Sequence, residues 1–298
     1  MIAGFSITSL LLILLAGIGA GFVGYAVGAS SLVSYPALLA FGIPPVLANA
    51  SNTVGVVGTG IGGVMGARKE LKGQAVRSIT YVVIGAFGGV AGAFLLLKLD
   101  PSVFEFAAPV LILLSSLIIA INPRGRMQPS KPPRMPPRNS STSKPLKPLK
   151  PLKPLKPPSA QPPLPHLTAR RNNLVQPMSQ DSWWVWLGVA AVAIYSGYFG
   201  AGAGTLALAV LDAAKIGPFH KINALKTLIG TGANISASVV FIIQGAVDWP
   251  AAIMLCIGCF IGGYIAPSIT RKIPANIMRA AAVIAGIILT IDLGLKTY

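Results

Sequence analysis

Asn49-Ala50-Ser51-Asn52-Thr53 and Asn223-Ala224-Leu225-Lys226-Thr227 are two copies of one pattern, N-A-x-x-T, and each begins five residues after a proline, Pro44 or Pro218. Other landmarks recur around both copies in the same order: glycine-rich stretches at 21–31 and 197–204, turns at Gly73 and Gly245, and glycine pairs at 88–89 and 262–263. We therefore expect two copies of one domain. Duplicated membrane domains are typical of secondary transporters, whose substrate site lies between the repeats.

The distribution of charged residues predicts a membrane protein. The first charged side chain is Arg68, and 67 uncharged residues of helix would measure about 100 Å, enough for roughly three crossings of a 30 Å hydrocarbon core. Charged residues make up 10% of the chain, against about 25% in ordinary soluble domains. The predicted fold class is an all-α polytopic membrane protein, because helices satisfy their own backbone hydrogen bonds without water.

The net charge of +17 would indicate a nucleic-acid partner in a soluble protein, but its position here favours a different interpretation. Twelve of the 24 Lys and Arg residues lie between Arg124 and Arg171, around a Lys-Pro-Leu repeat that runs from Lys144 to Pro158. Proline at every third residue favours an extended, solvated chain. We predict a first membrane repeat at 1–122, a disordered cytoplasmic linker at 123–182 and a second repeat at 183–298, with no nucleic-acid partner. The linker is either a spacer or a segment that contacts anionic lipid or a partner domain.

Loop charges predict that the two halves are inverted. The basic loop from Arg68 to Arg77 is expected inside the cell, whereas the matching loop at Gly245 carries only Asp248 and is expected outside. The loop at Asp100 is expected outside, and its counterpart at Arg271-Lys272 inside. This inversion requires an odd number of crossings in each half.

Five apolar segments are expected in each half. They are 5–27, 30–43, 46–66, 78–97 and 104–121, then 183–200, 204–217, 222–243, 250–270 and 275–293. The second segment of each half has about 14 residues, so it is either a crossing or the arm of a re-entrant hairpin. The predicted architecture is two inverted repeats of four to five membrane helices each, eight to ten in all, with short or broken helices near the site.

The repeated motif and the glycine breaks predict a binding site for a small anion. The breaks at 24–28 and 200–204 would let half-helices end inside the membrane and present N–H groups with a positive dipole. The predicted substrate-binding residues are Asn49, Asn52, Thr53, Asn223, Lys226, Thr227, Gly28, Tyr35, Gly200 and Gly202. The alternative for the glycines is close helix packing alone.

Lys226 has two opposing interpretations. A lysine in an uncharged helix is costly and favours a functional role, here the pairing with a substrate anion. The alternative is that Lys226 extends its ammonium to the cytoplasmic surface together with Lys221. His166 and His220 form no catalytic or metal-binding spacing, so we expect neither an enzyme nor a metal or other cofactor.

These residues resemble a known family of membrane transporters. Tyr35-Pro36, Ala48 to Val54 and Arg68 to Leu71 are similar to the first repeat of the sulfite exporter TauE/SafE family, and Ile222 to Thr227 with Gln244 to Trp249 are similar to the second. The resemblance covers about 230 residues and excludes the linker. Family members commonly carry three glycines where this chain has Ala29-Ser30-Ser31.

The resemblance implies a multi-pass transporter in the cytoplasmic (inner) membrane. Its expected partners are the lipid bilayer, a small anionic substrate such as sulfite, an organosulfonate or a related sulfur or carboxylate compound, and a coupling proton or other ion. We expect alternating access, in which each side of the membrane reaches the site in turn. The alternatives are a passive anion channel and a membrane scaffold that acts through the linker.

Overall fold

The computed structural model describes residues 5–121, 182–217 and 219–270, together with single helical positions between 280 and 295. Helices are the regular elements throughout these ranges, and no β-strand is found among them. The first half contains α1 Ile7–Val27, α2 Ser31–Ala40, α3 Pro45–Gly66, α4 Arg68–Leu71, α5 Ala75–Lys98 and α6 Pro101–Ile121. The second half contains α7 Trp183–Tyr198, α8 Ala203–Ala213, α9 Phe219–Ile243 and α10 Trp249–Thr270.

The helices follow the predicted segments closely, and the fold class is confirmed. One difference is α4, a single helical turn inside the basic loop that was expected to be irregular. The predicted linker and most of the last predicted segment, 275–293, lie outside the described residues. The division into domains at 122 and 183 therefore stays a prediction.

Length and hydropathy distinguish four long apolar helices from α3, which is equally long but buries polar residues. Four helices of the described ranges are long and apolar enough to cross a membrane by these criteria: α1, α5, α9 and α10. Helix α3 is equally long, with 22 residues, but it buries polar residues such as Asn49 and Asn52 together with many glycines. Large apolar side chains such as Phe87 and Ile243 are exposed instead. This arrangement, apolar outside and small or polar inside, is expected of a bundle that faces lipid.

Glycine contacts show that α1 and α10 run parallel. A Cβ added at Gly258 would clash with the backbone of Leu14 and Ile18. One turn later, a Cβ at Gly262 would clash with the backbone of Ile18 and Phe22. Both contacts advance together along the two helices, so α1 and α10 have the same direction and approach closely through small residues.

The equivalent pair, α5 and α7, is also parallel. A Cβ at Gly88 would meet Ala193 and Ile194, and one turn later a Cβ at Gly92 would meet Ile194 and Tyr198. Thus the first helix of each half packs on a long helix of the other half: α1 packs on α10, and α7 packs on α5. The third helices of the two halves pack in the same way, α3 on α10 and α9 on α5.

The third helices of the two halves, α3 and α9, are antiparallel. Gly60 lies against Thr231, and Gly63, further along α3, lies against Thr227, which is earlier in α9. Helices α3 and α10 are parallel, as are α5 and α9, because their glycine contacts advance together. Consequently α1, α3 and α10 point one way, and α5, α7 and α9 point the other way. The two halves have opposite directions, which is the relationship expected of inverted repeats.

The first two helices of each half form a hairpin whose tip lies inside the bundle. The last turn of α1 packs beside the middle of α3, where a Cβ at Gly24 would lie 3.0 Å from Cγ2 of Thr59. Helix α2 then runs back along α3, and Ser31 and Ser34 bond to Asn52. With 10 and 11 residues, α2 and α8 are about 15–17 Å long, roughly half a hydrocarbon core.

Candidate functional site

The two hairpin tips meet at the backbone. The amide of Gly204 donates to the carbonyl of Gly28 at 3.1 Å, and the Thr205 hydroxyl donates to the carbonyl of Val27 at 2.7 Å. Gly28 ends α1 with a φ of 89°, a left-handed conformation that glycine adopts without strain. A Cβ at Gly28 would also collide with the backbone of Gly204. Both requirements, conformation and closeness, explain the glycines at the breaks.

A central cavity of about 70 Å³ lies beside the tips, between the two halves. On this measure one water needs about 10–15 Å³, so the cavity has room for a small solute. Helices α1, α2, α3, α7, α8 and α9 or the breaks between them contribute to its wall. The polar side chains that line it are Tyr25, Ser30, Ser31, Thr53, Thr59, Ser196, Lys226, Thr227, Thr231 and Asn234.

Two helix N-termini contribute to the cavity. Ser30 and Ser31 stand at the start of α2, and Ala203 and Gly204 at the start of α8, and all four residues line the wall. The first amides of α8 already bond to the carbonyls of Gly200, Gly28 and Gly202, so this helix contributes the partial positive charge that its dipole places at the N-terminus. The cavity is therefore suited to negative charge.

Lys226 is the cationic residue of the wall. Its side chain is only 4% exposed, so the alternative of a lysine that reaches the membrane surface is wrong. The ammonium donates to the carbonyls of Gly24 at 3.1 Å and Tyr25 at 2.8 Å, and lies 5.7 Å from the centre of the Tyr25 ring. These carbonyls belong to the last turn of α1, where a cation offsets the negative end of the dipole. Lys226 thus caps the broken helix and borders the cavity at once.

Asn49 and Asn223, two predicted ligands, serve helix ends instead of the cavity wall. Asn223 donates from Nδ2 to the carbonyl of Tyr25 at 3.3 Å, at the end of α1. Asn49 donates from Nδ2 to the carbonyl of Tyr198 at 2.8 Å, at the end of α7. Each asparagine of the motif therefore holds the broken helix of the opposite half, and neither lines the cavity.

The two threonines of the motif do line the cavity. The hydroxyls of Thr53 and Thr227 donate to the carbonyls of Asn49 and Asn223, four residues earlier, both at 2.9 Å. A hydroxyl has two lone pairs and one hydrogen. Because the hydroxyl hydrogens are used within the helices, the two threonine side chains offer a solute only acceptor lone pairs or methyl groups unless they rotate.

The other predicted residues divide between wall and scaffold. Gly28 and Gly200 line the cavity. Asn52 is fully buried between Ser31 and Ser34, and so supports the hairpin. Tyr35 lies in an aromatic cluster with Phe104 and Phe199, and Gly202 packs against Ser115 of α6. Asn52, Tyr35 and Gly202 do not line the cavity.

Sequence reasoning missed a second tier of polar residues. Thr231 and Asn234 on α9 lie one and two turns beyond Thr227 on the same helix face, Thr59 lies six residues after Thr53 on α3, and Ser196 comes from the end of α7. Helical spacing from Thr227 would have found Thr231 and Asn234, but Thr59 lies at a position that spacing from Thr53 does not indicate. Ser196 has no such signal, because it joins the cavity only through the pairing of the two halves.

None of the described residues that line the cavity carries a carboxylate. No cluster of metal-binding side chains occurs among residues 5–121, 182–217 and 219–270 and the single described positions beyond. Cys256 and Cys259 are free thiols on α10, and Cys259 is fully buried. The described wall thus combines one ammonium and helix N-termini, which attract an oxyanion, with hydroxyls that can donate to it only after their side chains rotate.

Comparison with known proteins identifies the family. The family described as "Sulfite exporter TauE/SafE" matches residues 13–293. A "Probable membrane transporter protein" of Haemophilus influenzae (strain ATCC 51907 / DSM 11121 / KW20 / Rd) is 31% identical over 111 residues, which are 36% of this chain and 42% of the relative. The match thus covers less than half of that protein. No solved structure matches the chain significantly. The extent of the family match shows that this multi-pass membrane protein belongs to the TauE/SafE sulfite exporter family of membrane transporters.

Proposed function

We propose that this chain is a secondary transporter that moves a small anion across the cytoplasmic membrane by alternating access. The substrate would be sulfite, an organosulfonate or a related sulfur or carboxylate compound. The observation that carries the proposal is the central cavity, which lies where the hairpin tips of the two inverted halves meet. A substrate site at such a junction is the common plan of inverted-repeat transporters.

Electrostatics favours an anion. The cavity collects the positive ends of α2 and α8, and Lys226 adds an ammonium that is almost fully buried. An anion in the cavity would compete with the carbonyls of Gly24 and Tyr25 for this ammonium. In the bonds to the carbonyls only the ammonium is charged, whereas an anion adds the attraction of opposite charges, which is strong in a site with little water, so the competition favours the anion.

The volume of the cavity favours a compact substrate. About 70 Å³ accommodates an oxyanion of several heavy atoms but leaves little room for a long side chain. Thr53, Thr227 and Ser196 provide polar contacts on different sides. We infer that selectivity within the substrate class depends on size as well as charge.

Alternating access requires that the halves move relative to each other while the site stays between them. Helices α1 and α3 of the first half run opposite to α7 and α9 of the second half. The molecule can therefore take two equivalent arrangements, in which the two halves exchange roles. In this proposal both hairpins carry the site, the basic loop and the linker lie in the cytoplasm, and both termini lie outside.

Flux measurements in proteoliposomes test the proposal. Labelled sulfite, a two-carbon aminosulfonate or a short carboxylate is added outside vesicles that contain the full chain, and uptake is followed with and without an imposed ion gradient. We expect flux of a small oxyanion that accumulates against its gradient and stops with an uncoupler. An ionic current with no accumulation would contradict a transporter and indicate the passive channel.

A further inference from the structure

The end of α7 reproduces only part of an arrangement that is complete at the end of α1. In both places a tyrosine carbonyl accepts an asparagine amide, Tyr25 from Asn223 and Tyr198 from Asn49. At α1 the Lys226 ammonium adds bonds to two carbonyls of the last turn. No basic residue occupies the last turn of α7 itself.

The sequence position that corresponds to Lys226 is held by Asn52. Both are the fourth residue of the N-A-x-x-T motif. The amide of Asn52 bonds to Ser31 and accepts from Ser34, so it serves α2 and does not extend to the carbonyls of α7. The two halves therefore differ by one positive charge at equivalent helix ends, although their negative dipole ends are alike.

A buried oxygen marks the same place. Oδ1 of Asn49 has no hydrogen-bond partner, and the residue is 0% exposed. Buried polar atoms are rarely left without a partner, so such an atom needs an explanation. Oδ1 of Asn223 also lacks a hydrogen bond, but there the Lys226 ammonium bonds to the same Tyr25 carbonyl that accepts from Asn223.

We propose that a small monovalent cation, sodium in the first instance, binds at the end of α7 between the carbonyl of Tyr198 and Oδ1 of Asn49. It would take the place that corresponds to the Lys226 ammonium. Neutral carbonyl oxygens at the end of a half-helix are typical ligands of sodium in transporters, whereas divalent cations usually require carboxylates. Binding of sodium at this site does not depend on which anion is transported. Only a role of the sodium ion in coupling rests on the proposed function.

Thermal unfolding of the purified full chain tests the site without transport. The protein is measured in sodium chloride, potassium chloride and choline chloride at equal ionic strength. Binding to the folded state alone raises the unfolding temperature in a saturable way. We expect a rise that increases with sodium concentration to a plateau, a smaller rise with potassium, and none with choline.

Variants at two equivalent asparagines, Asn49 and Asn223, provide a matched comparison. Asn49→Ala removes the proposed ligand and should abolish the sodium-specific rise. Asn223→Ala removes the equivalent hydrogen bond on the other side, so it should lower the unfolding temperature similarly and still respond to sodium. Asn49→Asp adds a negative charge at the site and should shift the sodium midpoint to about tenfold lower concentration or below, equivalent to about 1.4 kcal/mol.

A variant at Asn52 gives the first half the lysine that the second half has at the equivalent position. Asn52→Lys places an ammonium at the position equivalent to Lys226, and the unfolding temperature should then become nearly independent of sodium. The response to sodium is the measured quantity, so a general loss of stability from the broken Ser31 and Ser34 contacts does not obscure it. A wild-type protein with the same unfolding temperature in sodium and choline, or an Asn49→Ala variant with an undiminished response, would overturn the proposal. Neither result would affect the anion flux test, so the two proposals fail separately.

Discussion

Asn49 and Asn223 make the same hydrogen bond in opposite halves of the molecule, Asn49 to the Tyr198 carbonyl at 2.8 Å and Asn223 to the Tyr25 carbonyl at 3.3 Å. Each bond joins the third helix of one half to the broken helix of the other. The halves are thus connected at the tips that border the cavity, in addition to the glycine contacts along their lengths. Relative movement of the halves must either carry these bonds along or break them.

Gly28→Ala tests the contact between the hairpin tips. Alanine would be strained by about 1–2 kcal/mol at a φ of 89°, and its Cβ would also clash with the backbone of Gly204. Gly42→Ala is the matched control, because Gly42 also has a positive φ, 80°, but has no atom within 4 Å of the added Cβ. We expect Gly28→Ala to lower the unfolding temperature much more and to abolish flux. Equal effects of the two variants would show that closeness at the tips is unimportant.

Gly262→Ala and Gly230→Ala should have opposite effects on stability. A Cβ at Gly262 would meet the backbone of Ile18, whereas a Cβ at Gly230 meets nothing within 4 Å. The first variant forces α1 and α10 apart, at a cost of about 1–3 kcal/mol. The second gains about 1 kcal/mol of helix propensity. Unfolding temperatures in detergent measure both, and a stable Gly262→Ala protein would contradict the close approach of α1 and α10.

The sequence predicted the helices well because membrane segments are marked by missing charge. Asp100, Asp248 and the basic loop bound α5, α6 and α10, and these helices begin and end within a few residues of the predicted segments. The small turn α4 was missed because its polar residues, such as Lys69 and Glu70, are also typical of irregular loops.

The site was predicted only in part, for a physical reason. The repeated motif lies on helices that border the cavity, but Asn49 and Asn223 bond to carbonyls at the helix breaks, since buried carbonyls there need donors. Tyr35 is among the predicted substrate-binding residues, yet its ring packs against Phe104 and Phe199. Which face of a helix lines the cavity depends on how the two halves pack together, and the sequence of one half alone does not indicate that packing.

Replacement of the Lys-Pro-Leu segment tests the role of the linker. Lys144 to Pro158 contains a proline at every third residue and cannot build a packed core. A Gly/Ser segment of equal length should leave flux within a fewfold of the parent. Complete loss of flux from protein that is still inserted would instead support docking of a partner through the linker.

Labelling of single cysteines tests the predicted orientation. In a background with Cys256 and Cys259 replaced by serine or alanine, a cysteine at Lys69 or within the linker should react with an impermeant thiol reagent only after the cells are opened. A cysteine at Gly245, in the loop before α10, should react in intact cells. Outside labelling of the linker would contradict the orientation derived from loop charges.

Lys226 is predicted to act both on stability and on anion binding, and a pair of variants separates the two. Lys226→Met removes the donors to the Gly24 and Tyr25 carbonyls and the positive charge of the cavity. Loss of one member of a buried charged pair costs about 2–5 kcal/mol, so anion affinity should fall about thirtyfold or more. Lys226→Arg keeps the charge but changes the donor geometry, and should retain part of the activity.

Thr205→Val is the control for this prediction, because it also removes a cap from the end of α1, the 2.7 Å bond to the carbonyl of Val27, while Thr205 does not line the cavity. Loss of one such bond costs about 0.5–1.5 kcal/mol. Thr205→Val should therefore lower the unfolding temperature and leave anion affinity nearly unchanged. Binding of labelled sulfite to both purified variants measures the difference. Unchanged affinity in Lys226→Met would show that this lysine is a helix cap alone, and the anion would then be held by the N-termini of α2 and α8 and the surrounding hydroxyls.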